Sequence, residues 1–251
     1  GAGQFSGFSN STSVFTGQEL YAWGENGQGA LGDGTVIDRS SPVQIGSLTN
    51  WSSATSGNGQ SIATNLNGEL YAWGNNNAGQ VGDGTVILRS SPVQIGALTN
   101  WSQVSAGSVH SFAIKTNATL WAWGDNGDGQ LGLSIDRAID RSSPVQIGSD
   151  TWSQVSGGQF CGLAITVSGE IYSWGDNNNG QLGTGGTVKS SSPVQIGSDT
   201  DWSKVACGYV HVSAIKTDGT LWGWGSNTSG QVGDGTRVSK SSPVQIGALT
   251  N

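Results

Sequence analysis

W-S-Q-V-S-A-G-S-V-H-S-F-A-I-K-T-N-A-T-L-W-A-W-G-D-N-G-D-G-Q-L-G, residues 101–132, is the stretch that decides the fold, because it recurs along the whole chain. Trp51, Trp101, Trp152 and Trp202 each open a segment W-S-x-V or W-S-x-A, at spacings of 50, 51 and 50 residues. About twenty residues on comes an aromatic-x-Trp-Gly block whose second aromatic is Trp23, Trp73, Trp123, Trp174 or Trp224. A G-Q-L-G-like turn follows, and each copy closes with S-S-P-V-Q-I-G around Pro42, Pro92, Pro144, Pro193 and Pro243. Counting back from Trp51 puts Gly1 at the phase of a missing opening Trp. The 251 residues therefore divide into five copies, 1–50, 51–100, 101–151, 152–201 and 202–251. A fixed period of this length is the mark of a repeat architecture.

Each copy predicts four short strands: W-S-Q-V-S-A, H-S-F-A-I-K, T-L-W-A-W-G and S-P-V-Q-I. Helical periodicity is absent, and Gly or Pro interrupts nearly every ten residues. Between the second and third strands Asn67-Gly68, Ser168-Gly169 and Asp218-Gly219 predict a tight hairpin turn, of type I′ for Asn-Gly and Asp-Gly. Four strands per repeated unit predict an all-β fold: a β-propeller of five four-stranded blades, closed by itself or part of a larger seven-blade ring. Residues 1–251 are expected to form one domain. The Trp of each third strand is expected in the core, packed against the next blade.

Composition bounds the function. Only 11% of residues are charged, and the formal net charge is −7. That excludes the concentrated basic face that nucleic acids need and disfavours anionic membranes. No apolar run is long enough for a transmembrane helix, so no membrane insertion is expected. The chain has no Met and starts at Gly1, as expected of a processed product or a piece of a longer polypeptide.

With these blocks assembled, the chain resembles the regulator-of-chromosome-condensation repeat family. The resemblance rests on residues 107–116, 120–132 and 143–148, whose pattern recurs at 208–217, 221–233 and 242–247. The close similarity of the copies also resembles bacterial and phage repeat arrays. The family implies a propeller, usually of seven blades, and three kinds of activity. Nucleotide exchange on a small GTPase depends on an inserted wedge, whereas the largest insertion here is two residues within Leu133–Asp140. Ultraviolet-B sensing depends on a G-W-R-H-T motif, but the matching positions read G-S-V-H-S at 107–111 and G-Y-V-H-V at 208–212. Binding of a protein through a propeller face requires no fixed motif, and it remains.

Two columns of residues recur at equivalent positions. Asn10, Gln60, His110, Cys161 and His211 stand nine residues after each opening phase. The sharper reading is a metal or ligand site using His110, Cys161 and His211. The plainer reading, which we adopt, is that each side chain ties its strand to a neighbouring blade by a hydrogen bond. Arg39, Arg89, Arg141 and Lys240 stand three residues before the conserved Pro, where the fourth copy has Ser190 and carries Lys189 one residue earlier; together these cations form a basic band. They are read either as solvated charge that blunts a sheet edge or as a band for a partner. The G-D-G-T loops suggest Asx turns more than calcium sites. Cys207 falls at a small-residue phase and is expected to be buried; whether it bridges to Cys161 is open.

No catalytic triad, phosphate loop or cofactor motif is present, so catalytic residues, metals and cofactors are all expected to be none. The expected function is a noncatalytic binding or structural module, extracellular, on a cell surface or on a virion. Its expected partner is a protein or glycan held on a propeller face. The rival readings are a purely architectural subunit that self-assembles, a secreted inhibitor, or an unrecognised enzyme.

Overall fold

The computed structural model describes residues 11–16, 18–134 and 139–247. Blade one comprises β1 (Ser11–Thr16), β2 (Glu19–Gly24) and β3 (Arg39–Gln44). Blade two is β4 (Trp51–Ser56), β5 (Gln60–Asn65), β6 (Leu70–Gly74) and β7 (Arg89–Gln94). Blade three is β8 (Trp101–Ala106), β9 (His110–Lys115), β10 (Leu120–Gly124) and β11 (Arg141–Gln146). Blade four is β12 (Trp152–Gly157), β13 (Cys161–Thr166), β14 (Ile171–Gly175) and β15 (Ser190–Gln195). Blade five is β16 (Trp202–Cys207), β17 (His211–Lys216), β18 (Leu221–Gly225) and β19 (Lys240–Gln245). Every sheet is an antiparallel meander in chain order, and the described part of blade one has three strands. The segment expected to supply the first strand of copy one, and Asn10, lie outside the described residues.

The fold is thus the expected five-bladed β-propeller, and the sequence-predicted strands lie within one or two residues of β8, β9, β10 and β11. The W-S dipeptide has a local purpose. A bulge follows each opening Trp, as where Trp51 pairs with Asn65 but Ser53 with Thr64. The extra residue is a Ser whose hydroxyl caps the partner strand: Ser102 Oγ donates to Ile114 O at 3.0 Å and Ser203 Oγ to Ile215 O at 2.9 Å. Such bulges increase strand twist, which a propeller blade requires.

The hairpin turns differ from expectation. Gly68 N donates to Asn65 O at 3.0 Å, and among Leu66, Asn67 and Gly68 only the glycine has positive φ, at 74°. This is a three-residue loop, a type I turn followed by a left-handed residue, rather than a two-residue type I′ turn. The left-handed position falls on the glycine in blades two, four and five. In blade three Ala118 takes it, at φ 63°.

The cores lie between blades rather than within them. One cluster joins Leu163, Ile165 and Leu182 of blade four to Trp202, Val212 and Trp224 of blade five. Equivalent clusters fill the other three junctions. Because both faces of a blade are covered, β5, β9 and β13 are buried at every residue and show no alternation.

The third-strand Trp locks each junction, but against the preceding blade, not the next. Its indole N–H donates to a carbonyl there: Trp73 to Ala30, Trp123 to Gln80, Trp174 to Gln130 and Trp224 to Gln181, all at 2.9 Å. The ring lies where the preceding blade has a glycine. A Cβ on Gly82 would stand 2.6 Å from Trp123 Nε1, closer than any side chain tolerates. Blade five, which has no following blade against it among the described residues, breaks the pattern: Leu221 is 38% exposed, whereas Leu20, Leu70, Leu120 and Ile171 are fully buried.

Trp123→Ala should therefore empty a junction and cost about 3–5 kcal/mol of stability. Trp123→Phe, which keeps a ring but loses the donor, should cost less, because Ser111 Oγ also donates to Gln80 O, at 2.8 Å. Denaturant unfolding of both variants checks the order.

Candidate functional site

The long loops between third and outer strands occupy one face of the propeller, together with the short turns that follow the innermost strands. Asn75 N donates to Gly59 O at 2.7 Å, which joins the two loop types in blade two. Each long loop is organised around one buried asparagine that sequence reasoning passed over: Asn26, Asn76, Asn126, Asn177 or Asn227. Asn76 Nδ2 donates to Asp83 Oδ1, Thr85 O and Ile87 O at 3.0–3.2 Å, and its Oδ1 accepts from Val81 N at 2.9 Å. Asn26 and Asn227 repeat this set. The signal was available, since Trp-Gly-x-Asn occurs in all five copies.

The G-D-G-T aspartates make the expected Asx turns. Asp33 Oδ1 accepts from Thr35 N and Thr35 Oγ1, at 2.9 and 2.7 Å. Asp83 does the same with Thr85. Burial alone would raise the Asp83 carboxyl, but hydrogen bonds from Thr85 and Arg89 outweigh it and hold the group below the usual carboxylate range.

Most of the basic band is engaged by these loops. Arg39 pairs with Asp33 at 2.6 Å, Arg89 with Asp83 at 2.5 Å, and Lys240 with Asp234 at 3.1 Å. Lys189 pairs with Asp128 of the preceding blade at 2.5 Å and with Asp176 at 2.9 Å. Arg141 reaches only the Asp140 carbonyl, at 3.5 Å, and has no ion pair among the described residues. Partly exposed pairs are worth about 0–1 kcal/mol. An orphaned buried polar group costs roughly 1–3 kcal/mol. The asparagine, more than the ion pair, therefore fixes each loop.

What these loops display is aliphatic. Val36, Ile37, Val86, Ile87, Val188 and Val238 are all more than half exposed, and Val188 reaches 82%. The loops are also pinned sideways: Gly34 N donates to Ser90 O and Gly84 N to Ser142 O, each on the next blade's outer strand, at 2.8 and 2.7 Å. Exposed apolar side chains on rigid supports, repeated around one rim, form the arrangement best suited to contact with another surface.

The nine-residue column sits at the blade junctions. Gln60 Nε2 donates to Gly107 O of blade three at 2.8 Å. His110 is fully buried, with its ring under Gly107 and facing the Cys161 carbonyl of blade four. That carbonyl already accepts from Gly158 N at 2.8 Å, and neither ring nitrogen of His110 completes a hydrogen bond. Burial pushes the imidazole down to about 4. Cys161 is buried, and the neighbouring Cys207 of blade five together with burial raises its thiol well above the usual value. His211 is half-buried on blade five. Gln60, His110 and Cys161 thus lie in successive junctions, and among the described residues no three His, Cys, Asp or Glu side chains come together as a metal-holding group.

Cys207 is half-buried rather than buried. Both cysteines are free thiols, and Cys207 Sγ also donates to Ser156 O at 3.2 Å. Cys207 lines a central cavity of about 660 Å³ between the innermost strands. Side chains of one innermost strand cap the backbone of the next there: Gln103 Oε1 accepts from Val155 N at 3.2 Å, and Gln154 Oε1 from Val205 N at 2.8 Å. These caps satisfy edges that would otherwise be open to pairing.

Comparison with known proteins agrees with this architecture. A family profile described as the regulator of chromosome condensation (RCC1) repeat matches residues 18–64, 67–114, 117–165, 168–215 and 218–251. Among curated proteins, the ultraviolet-B receptor UVR8 of Arabidopsis thaliana is 46% identical over 44 residues, 18% of this chain and 10% of that protein. Among solved structures, human WBSCR16 superposes with a TM-score of 0.84 at 22% identity, covering 98% of this chain and 65% of its own. Yeast RCC1 (Prp20) bound to Kap60 gives 0.85 at 21% identity, covering 98% and 61%. The chain therefore spans less than two thirds of the length of these relatives.

The His110 geometry makes a pH prediction. The unfolded imidazole takes up a proton near its ordinary value of 6.5, but the folded one only near 4. Its neutral burial therefore contributes full stability above about pH 6.5. As pH falls from there towards 4, about 3 kcal/mol is lost. His110→Gln, which copies the Gln60 arrangement, should remove that component. The measurement is the difference between wild-type and variant unfolding free energies across pH 7 to 4.

Proposed function

The chain belongs to the regulator of chromosome condensation (RCC1) repeat family, and from that premise we propose that it is a noncatalytic module that receives a protein on the loop face. The observation that carries this reading is the aliphatic rim, with Val36, Ile37, Val86, Ile87, Val188 and Val238 standing out from loops fixed by buried asparagines. A rim of rigid apolar side chains costs little entropy to dock. The two residues with the most chemistry to offer, His110 and Cys161, are buried in blade junctions, where they serve packing. Prp20p from Saccharomyces cerevisiae, similar in fold, is described as binding Gsp1p and histones, which are proteins. A glycan is the lesser partner class, because the rim is aliphatic whereas sugar hydroxyls call for polar partners.

As part of the same proposal, the module is displayed outside the cell or on a virion. The support is compositional: 11% charged residues, net acidity and near-identical tandem copies. Labelling of intact cells or particles with an impermeant amine reagent tests this placement.

A second reading, an architectural subunit, is favoured by the face of blade five that no following blade covers among the described residues. Leu221 is exposed there, and a Cβ on Gly230 would meet nothing within 4 Å, whereas one on Gly180 would meet Ser241 of the next blade at 2.8 Å.

Two measurements separate the readings. The double variant Ile37→Asp, Ile87→Asp should fold normally and weaken capture of the protein partner at least tenfold; unchanged capture would refute the loop-face reading. Sedimentation across a wide concentration range should give a monomer; growth in mass that Leu221→Asp abolishes would support the architectural reading instead.

A further inference from the structure

The first aromatic of the third strand belongs to one of two matched sets. In blades two and four it is Tyr71 or Tyr172, with Glu69 or Glu170 two residues earlier and Asn65 or Thr166 ending the second strand. In blades three and five it is Trp121 or Trp222, whose indole donates to Thr119 or Thr220 Oγ1 at 3.0 and 2.9 Å. There the second strand ends in lysine. Lys115 Nζ lies 3.7 Å from the ring centre of Trp121 and 4.7 Å from that of Trp101. Lys216 Nζ lies 5.1 Å from Trp222 and 4.9 Å from Trp202.

The two lysines differ in one respect. Lys216 is neutralised by Asp199 at 2.6 Å and Asp201 at 3.1 Å. The matching positions in blade three, three residues and one residue before the opening Trp, are Leu98 and Asn100. The Lys115 ammonium has no ion pair or hydrogen bond among the described residues, although the residue is only 7% exposed. An ammonium on a largely buried side chain, held by two indole rings alone among the described residues, keeps an unmet demand for an anion. Burial accordingly lowers the Lys115 ammonium from its usual value, whereas the aspartate bonds overcome burial and raise Lys216.

Lys115 also opens into a cavity. Between blades two and three lies a space of about 490 Å³ whose walls include Trp101, Trp121, Val93, Leu98 and Pro144. Asp83 and Arg89 border it as well, but they neutralise each other at 2.5 Å. The volume lies in the range of small-molecule sites, which are mostly apolar with a few polar anchors. Gln94 and Ser143 line the cavity too, but among the described residues Lys115 is its one cation without an anion, which suits one negative charge on a largely apolar body.

We propose that this cavity binds an organic monocarboxylate, with its carboxylate on Lys115 Nζ and its apolar body against Trp101, Trp121, Val93, Leu98 and Pro144. In this arrangement the ligand supplies what Asp199 and Asp201 supply within blade five. The site does not use the exposed aliphatic side chains of the rim, although Asp83 and Arg89 of the blade-two long loop border it.

Calorimetric titration of the full chain with 3-phenylpropionate, and with the neutral 3-phenylpropan-1-ol, tests the proposal. The acid should bind saturably at one site and at least tenfold more tightly than the alcohol. Lys115→Met should abolish that preference. Leu98→Asp, which copies Asp199, should place an internal carboxylate on Lys115 and block the acid while the thermal midpoint holds or rises. The Leu98→Asp arm decides the matter even if Lys115→Met fails to fold. Absence of saturable binding, equal affinity for acid and alcohol, or acid binding untouched by Leu98→Asp would overturn it.

Discussion

Everything in this propeller depends on the bond between a third-strand indole N–H and a carbonyl of the preceding blade. A blade cannot hide its own apolar faces, so stacking is the only way to bury them. The indole does three things at once. It fills the space a glycine leaves, it satisfies a buried carbonyl, and it sets the distance between sheets. Gly32, Gly82, Gly132 and Gly183 are where they are because Trp73, Trp123, Trp174 and Trp224 occupy the volume a side chain would need. The linkage is directional. Each of blades one to four receives the next blade's Trp on one side and lays its long loop over the next blade's outer strand on the same side.

That directionality carries over to function. A loop anchored to two blades and organised by a buried asparagine loses little freedom when something touches it. Isoleucines and valines that a flexible loop would fold inward are held in solvent. The ion pairs of Arg39, Arg89 and Lys240 reinforce the loops, yet their free-energy share is small beside that of the asparagine network. The basic band read from the sequence is thus mostly an internal element of loop construction, and the large hydrophobic side chains those loops leave exposed are aliphatic.

The five copies also act as controls for one another. Gln60 reaches across its junction to a carbonyl, whereas His110, at the same position, meets a carbonyl already in use and is held neutral. Lys216 is closed by two aspartates, whereas Lys115, in the same aromatic setting, is not. Differences between near-identical environments isolate one variable, and they set apart both the unpartnered His110 ring and the cavity beside Lys115.

The sequence alone determined the period, the four strands of each blade and the aromatic positions. These are local patterns: Gly and Pro punctuation, and spacing within one copy. It also contained the buried asparagine, as the invariant residue after Trp-Gly-x, although that signal competes with the general abundance of Asn in turns. The turn type escaped because Asn-Gly suits both a two-residue loop and the last two positions of a three-residue one. Only the tertiary structure decided which neighbour each Trp grips, which cations are paired, that Cys207 faces the central cavity, and that Lys115 lacks an anion. Each of those outcomes depends on residues from adjacent blades, as with Trp123 and Gln80, 43 positions apart. Repetition makes such partners equally plausible in either direction along the chain, and only the packed register of one blade on the next chooses between them.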